Sequence, residues 1–88
     1  MPEMTLTIRS PVGLHARPAA LFVRAATAFG DTKVELLKDG KVRDAKSIIQ
    51  VLTLGVGSGA SVVVRAEGPQ AEEALEVLRR LVDDDFGE

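Results

Sequence analysis

Gly13-Leu14-His15-Ala16-Arg17-Pro18-Ala19 places the chain's only histidine two positions before an arginine and three before a proline. A neutral imidazole is a good nucleophile near pH 7 because its ordinary pKa is about 6.5. Proline is tolerated in a first helical turn, where its missing N–H is not needed. The spacing therefore predicts a helix opening at Ala16, with His15 just outside it and Arg17 in its first turn. Backbone N–H groups at such a terminus attract an anion, and the helix dipole adds to the pull. A guanidinium beside them supplies a charge-assisted contact. Phosphoryl transfer is catalysed mainly by positioning and by stabilising charge on the transferred oxygens. His15 is thus a candidate phosphoryl acceptor and donor, with Arg17 and the Ala16 N–H stabilising the group. The plainer reading of a lone histidine is a surface or satisfied side chain with no chemical task.

These residues need elements to position them. Met4, Leu6 and Ile8 alternate with Thr5, Thr7 and Arg9, which predicts a half-buried strand broken at Ser10-Pro11-Val12-Gly13. From Ala16 to about Phe29 the period becomes helical, with Ala19, Phe22, Ala26 and Phe29 on one face and Gly30 just past the end. Lys33 to Lys38 and Lys41 to Arg43 flank Asp39-Gly40, a strong two-residue hairpin signal. Ser47 to about Leu52 predicts a short helix, with Ser47 and Gln50 matching the Ser-x-x-Gln capping box. Ser61 to Ala66 contains Val62, Val63 and Val64 and predicts a strand. After Gly68-Pro69, Ala71, Ala74, Leu75, Leu78, Leu81 and Val82 form the stripe of a last helix, which pairs Glu76 with Arg80 and ends in a solvated Asp83-Asp84-Asp85. The order β-α-β-β-α-β-α, with one apolar face per strand, predicts an α+β fold: a four-stranded, mostly antiparallel sheet with three helices on one face.

Two further stretches carry chemistry or contacts. Ser47 is first a helix cap, and as a modification site it would place roughly two negative charges at a helix N-terminus. Ile48, Ile49, Val51 and Leu52 give the short helix more apolar surface than one buried face needs, so part of it is a candidate docking cluster; core packing is the alternative. Gly55-Val56-Gly57-Ser58-Gly59 lacks nucleotide-loop spacing and is read as a turn.

Composition narrows the function classes. The 88 residues are expected to form a single domain, 1–88. With no cysteine and one histidine, disulfides, thiolate metal sites and zinc sites are not expected. A net charge of −2 does not point to nucleic acid. No apolar run reaches about 18 residues, and the opening residues lack a signal-peptide pattern, so a cytoplasmic protein without membrane insertion is expected.

Gly13-Leu14-His15-Ala16-Arg17-Pro18-Ala19, followed by an alanine-rich helix, resembles the active-site motif of the HPr family. These are the histidine phosphocarriers of the bacterial phosphoenolpyruvate-dependent sugar phosphotransferase system. Lys46-Ser47-Ile48-Ile49, continuing to Leu54-Gly55-Val56, is a second landmark, and the likeness covers nearly the whole chain. The resemblance implies an open-faced sandwich, in agreement with the predicted order. It implies that His15 accepts phosphate on Nδ1 from phosphorylated enzyme I and passes it to the A domains of enzymes II. The chain is then a carrier within a relay, not an enzyme, needs no cofactor and is expected to be a monomer. The resemblance also makes Ser47 a regulatory phosphorylation site, with an HPr kinase/phosphorylase and a transcriptional regulator as further partners. The expected docking face comprises Leu14, Arg17, Phe22, Ile48, Ile49 and Leu52, with Arg24 and Lys46 meeting acidic partner surfaces. Phe22 is its weakest member, because its helical register also suits the core. Ile49 and Leu52 stand where methionines are frequent in the family, Gln50 where glycine is frequent and Ala20 where threonine is frequent. The bulk of Gln50 bears on kinase and regulator recognition.

Three other readings compete. An HPr paralogue serving nitrogen regulation or dihydroxyacetone phosphorylation would use the same His15 chemistry. A small-molecule-binding regulatory module would bind a metabolite and form no phosphohistidine. A pure interaction domain using Ile48 to Leu52 would keep its function in His15→Ala.

Overall fold

The computed structural model describes residues 2–87. Seven regular elements follow the predicted order: β1 (Glu3–Thr7), α1 (Ala16–Thr27), β2 (Lys33–Lys38), β3 (Lys41–Asp44), α2 (Ile48–Thr53), β4 (Ser61–Glu67) and α3 (Ala71–Asp83). A 3-10 turn at Asp85–Gly87 closes the described chain. The sheet order is β1-β4-β2-β3, and every neighbouring pair is antiparallel. Both helical crossovers, through α1 and through α2, therefore join parallel strands that have one strand between them.

Alternation decides which face is covered. Leu6, Val34, Leu36, Val62, Val64 and Ala66 are buried, while their neighbours along each strand are half-buried or exposed. Ala19, Phe22 and Ala26 of α1 and Ala74, Leu75, Leu78 and Val82 of α3 complete one core with them. The small alanines let α1 lie close to its neighbours, so Phe22 is fully enclosed at 0 % exposure. On the opposite face Arg65 of β4 holds Glu35 of β2 through two donors on one carboxylate oxygen, at 3.2 and 2.9 Å.

The turn residues behave as their types demand. Asp39 and Gly40 both take left-handed backbone, φ 52° and 79°, the pairing whose twist suits a two-residue hairpin. On α3, Glu76 pairs with Arg80 at 2.9 Å as expected and also with Arg79 at 2.6 Å.

Three local expectations are corrected. The first helix ends at Thr27, not near Phe29, and Gly30 is not a left-handed cap. The N–H groups of Ala28 and Phe29 reach back three residues to Ala25 and Ala26, which closes the terminus without positive φ. The capping box is only half formed. Ser47 Oγ accepts from the Gln50 N–H at 3.4 Å, but Gln50 Oε1 accepts from the Asp44 N–H at 2.9 Å, because the Ser47 N–H is taken by the Asp44 carbonyl. The acidic end is not wholly solvated. Asp83 and Asp84 are exposed, but Asp85 is half-buried, its Oδ1 enclosed without a hydrogen-bond partner among the described residues. Phe86 is 3 % exposed, and the apolar gain of burying that ring turns the chain back through left-handed Asp85 and Phe86.

Candidate functional site: the two helix starts

The segment leading to His15 is held by backbone more than by side chains. Gly13 donates to the Ser10 carbonyl at 2.9 Å, and Leu14 donates to the Val56 carbonyl at 2.9 Å. Gly13 has φ 67°, and a Cβ there would lie 2.3 Å from the Val56 oxygen and 2.8 Å from Gly57. Only glycine allows the two loops this close. Leu14 then drives its side chain into the core, at 2 % exposure. The glycine-containing stretch before β4, read from sequence as a plain turn, is thus the support on which the His15 loop rests. The only hint of this in the sequence is Gly13, the glycine that opens the motif.

His15 itself is exposed and is the N-cap of α1, with extended backbone at φ −113° and ψ 167°. Its side chain makes no capping bond, and its carbonyl accepts from the Ala19 N–H at 3.1 Å. Pro18 has no N–H and the Ala19 N–H bonds to the His15 carbonyl, so the N–H groups of Ala16 and Arg17 are those of the opening turn that precede any intrahelical carbonyl. No acidic side chain lies in that turn to compete with an incoming anion. Ala16 has φ 29°, a left-handed conformation that costs an L-residue on the order of 1–3 kcal/mol. The flanking anchors fix it, with Leu14 in the core on one side and buried Pro18 and Ala19 on the other. Arg17 is exposed in the same turn.

Ser47 is the N-cap of α2 and half-buried. Val51 anchors this short helix in the core at 0 % exposure, while Ile49 is 70 % exposed and Ile48 and Leu52 are each 38 % exposed. The apolar excess read in the sequence therefore lies outward. Val12, just before the His15 motif, is a further exposed apolar side chain at 58 % that the sequence reading did not single out.

The expected docking face needs three corrections. Leu14 and Phe22 cannot present a surface, because both are core residues at 2 % and 0 % exposure. Lys46 does not extend its charge outward: it is half-buried, and its Nζ donates to the Phe29 carbonyl at 2.6 Å. Arg24 is exposed. Among the described residues no group of His, Cys, Asp or Glu could hold a metal ion. No described helix is long and apolar enough to cross a membrane.

The family model for the PTS HPr component phosphorylation site matches residues 2–84. The phosphocarrier protein HPr of Vibrio cholerae is 46 % identical over 83 residues, covering 94 % of this chain and 96 % of that one. The HPr-like protein Crh of Bacillus subtilis is 42 % identical over 85 residues, covering 97 % and 99 %. The crystal structure of HPr from Thermoanaerobacter tengcongensis superposes with a TM-score of 0.97 at 45 % identity, covering 100 % of this chain and 98 % of that one. A dimeric HPr from the same organism covers all of both chains at 43 % identity and a TM-score of 0.77. An exposed histidine heading α1, on a fold shared along its whole length with phosphocarriers, places the chain in the PTS HPr family.

Proposed function

We propose that this chain carries phosphoryl groups on His15 in a sugar phosphotransferase relay. It takes the group from phosphorylated enzyme I and passes it to the A domains of sugar-specific enzymes II. The observation that carries this reading is the exposed imidazole at the start of α1, beside a first turn with Arg17 and no carboxylate.

The step needs little covalent machinery. A neutral imidazole nitrogen, Nδ1 in the family, attacks phosphorus as the bond from phosphorus to the donor breaks. The Arg17 guanidinium and the Ala16 and Arg17 N–H groups stabilise charge on the equatorial oxygens. Their hold is moderate, since a trapped group could not be handed on. The reverse displacement on the acceptor returns free imidazole. In this reading the chain acts in the cytoplasm as one domain, needs no cofactor and turns over no substrate itself. Ile48, Ile49 and Leu52 supply an apolar docking surface, and Arg17 and Arg24 steer acidic partners to it. Ser47 is a cap that also serves as a regulatory phosphorylation site for an ATP-dependent kinase, in a form read by a transcriptional regulator.

A second reading has a specific observation behind it. The 42 % identity to the HPr-like protein Crh is close to that with phosphocarriers, which favours a paralogue with different partners as the alternative. Incubation with labelled phosphoenolpyruvate and enzyme I tests the main reading. An acid-labile, base-stable label on His15 that disappears in His15→Ala is expected. No label, or a label that survives His15→Ala, overturns it.

A further inference from the structure

We propose that Lys46 is a positioning residue that locks α2 to the end of α1, and that it does not act as a cation for partners. The proposal rests on the carrier reading, since its consequence is for phosphoryl transfer. Its physical basis is a chain of hydrogen bonds between two elements remote in sequence. Lys46 Nζ donates to the Phe29 carbonyl at 2.6 Å, and that oxygen also accepts from the Thr32 N–H at 3.1 Å. Phe29 lies just beyond the end of α1, where the helix dipole is negative and an ammonium is most favourable. On the other side the Lys46 N–H donates to Asp44 Oδ1 at 2.9 Å, and the Asp44 N–H donates to Gln50 Oε1 at 2.9 Å, inside α2. Ser47, next in sequence, donates its N–H to the Asp44 carbonyl.

The connection therefore runs from Gln50 in α2 through Asp44 and Lys46 to the end of α1. α1 carries His15 and Arg17 at its other end, and α2 carries Ile48, Ile49 and Leu52. A partner that takes phosphate from His15 while resting on α2 reads the relative placement of these two helices. Lys46 fixes that placement with a half-buried, charge-assisted bond. An ammonium committed to a carbonyl at this distance cannot also extend to an acidic surface without breaking the bond. Arg24, by contrast, is exposed.

The two roles differ in their response to salt. Exposed charges that speed encounter are screened as ionic strength rises, whereas a half-buried internal bond is screened much less. The test measures transfer from phosphorylated enzyme I for wild type, Lys46→Met and Arg24→Met at about 0.05 M and about 0.5 M salt. Lys46→Met is expected to be slower by on the order of threefold to tenfold at both salt concentrations. The deficit of Arg24→Met is expected to disappear at the higher one. A Lys46→Met deficit that disappears with salt, or no deficit at all, overturns the proposal.

Amide hydrogen exchange separates this outcome from failure of the carrier reading. Lys46→Met is expected to exchange faster at Phe29, Ser47 and Val51, whether or not His15 accepts phosphate. Should the variant fail to fold, the wild type still decides: the Lys46 ammonium nitrogen should give a protected NMR signal, unlike that of exposed Lys41. A Lys46 signal indistinguishable from that of Lys41 overturns the tether.

Discussion

The starts of α1 and α2 are built in opposite ways. His15 caps α1 with its backbone only, and the next residue, Ala16, takes a strained φ of 29°. Ser47 caps α2 with its side chain, from ordinary extended backbone at φ −117°. Around Ser47, Gln50 Oε1 accepts from the Asp44 N–H and the Asp44 carbonyl accepts from the Ser47 N–H, which ties that terminus to the end of β3. At the α1 start His15 is exposed, while Leu14 before it and Pro18 and Ala19 after it are buried. On the proposed reading, a helix start can serve transfer when its capping group is withheld and its backbone is held by neighbours. A helix start that caps itself is a structural joint first, and any modification there must displace bonds already made.

Gly13→Ala puts a Cβ 2.3 Å from the Val56 oxygen at φ 67°, so a loss of more than about 3 kcal/mol is expected in denaturant unfolding. A loss below about 1 kcal/mol would mean that the two loops are not wedged together. Ala16→Gly should act in the opposite direction, raising stability by about 1 kcal/mol, because glycine tolerates positive φ. A destabilised Ala16→Gly would show that the α1 start stores no strain. Ser47→Ala removes a long cap bond of 3.4 Å and should cost about 0.5–1 kcal/mol in the same assay.

The smallest effect lies away from both sites, on α3. There the Arg79 guanidinium, and after it that of Arg80, hold the Glu76 carboxyl below its ordinary value of 4.5. The folded value is the lower one, so this contribution to stability is present above 4.5 and is lost as pH falls through the folded value. Wild type and Glu76→Gln should therefore differ slightly near neutral pH and converge in acid, as read from unfolding midpoints across pH. The pair is solvent-exposed, which keeps the difference small.

Much of the fold was legible because single local signals agreed with the tertiary demand. The Asp39-Gly40 hairpin, the alternation in β1 and the stripe of α3 each required only local geometry. The remaining regular elements also match their expected type and order. The candidate site was legible as a motif but not as a structure. Nothing in the residue types showed that Gly13 would press on Val56, since that contact joins segments far apart in sequence. Nothing marked Lys46 as an internal tether, because a lysine in a loop reads as a surface cation until its long stem is seen crossing to Phe29. Leu14 and Phe22 are expected on the docking face around His15, whereas both are buried in the core.

A phosphoryl group on His15 is expected to be held by the first amides of α1. Two-dimensional proton–nitrogen NMR before and after phosphorylation through enzyme I tests it directly, with phosphorus NMR confirming complete modification. The Ala16 and Arg17 amide protons should shift downfield by more than any others, while those of Ile49 and Gln50 at the start of α2 stay in place. Fully phosphorylated protein in which the Ala16 and Arg17 amides do not move would contradict it.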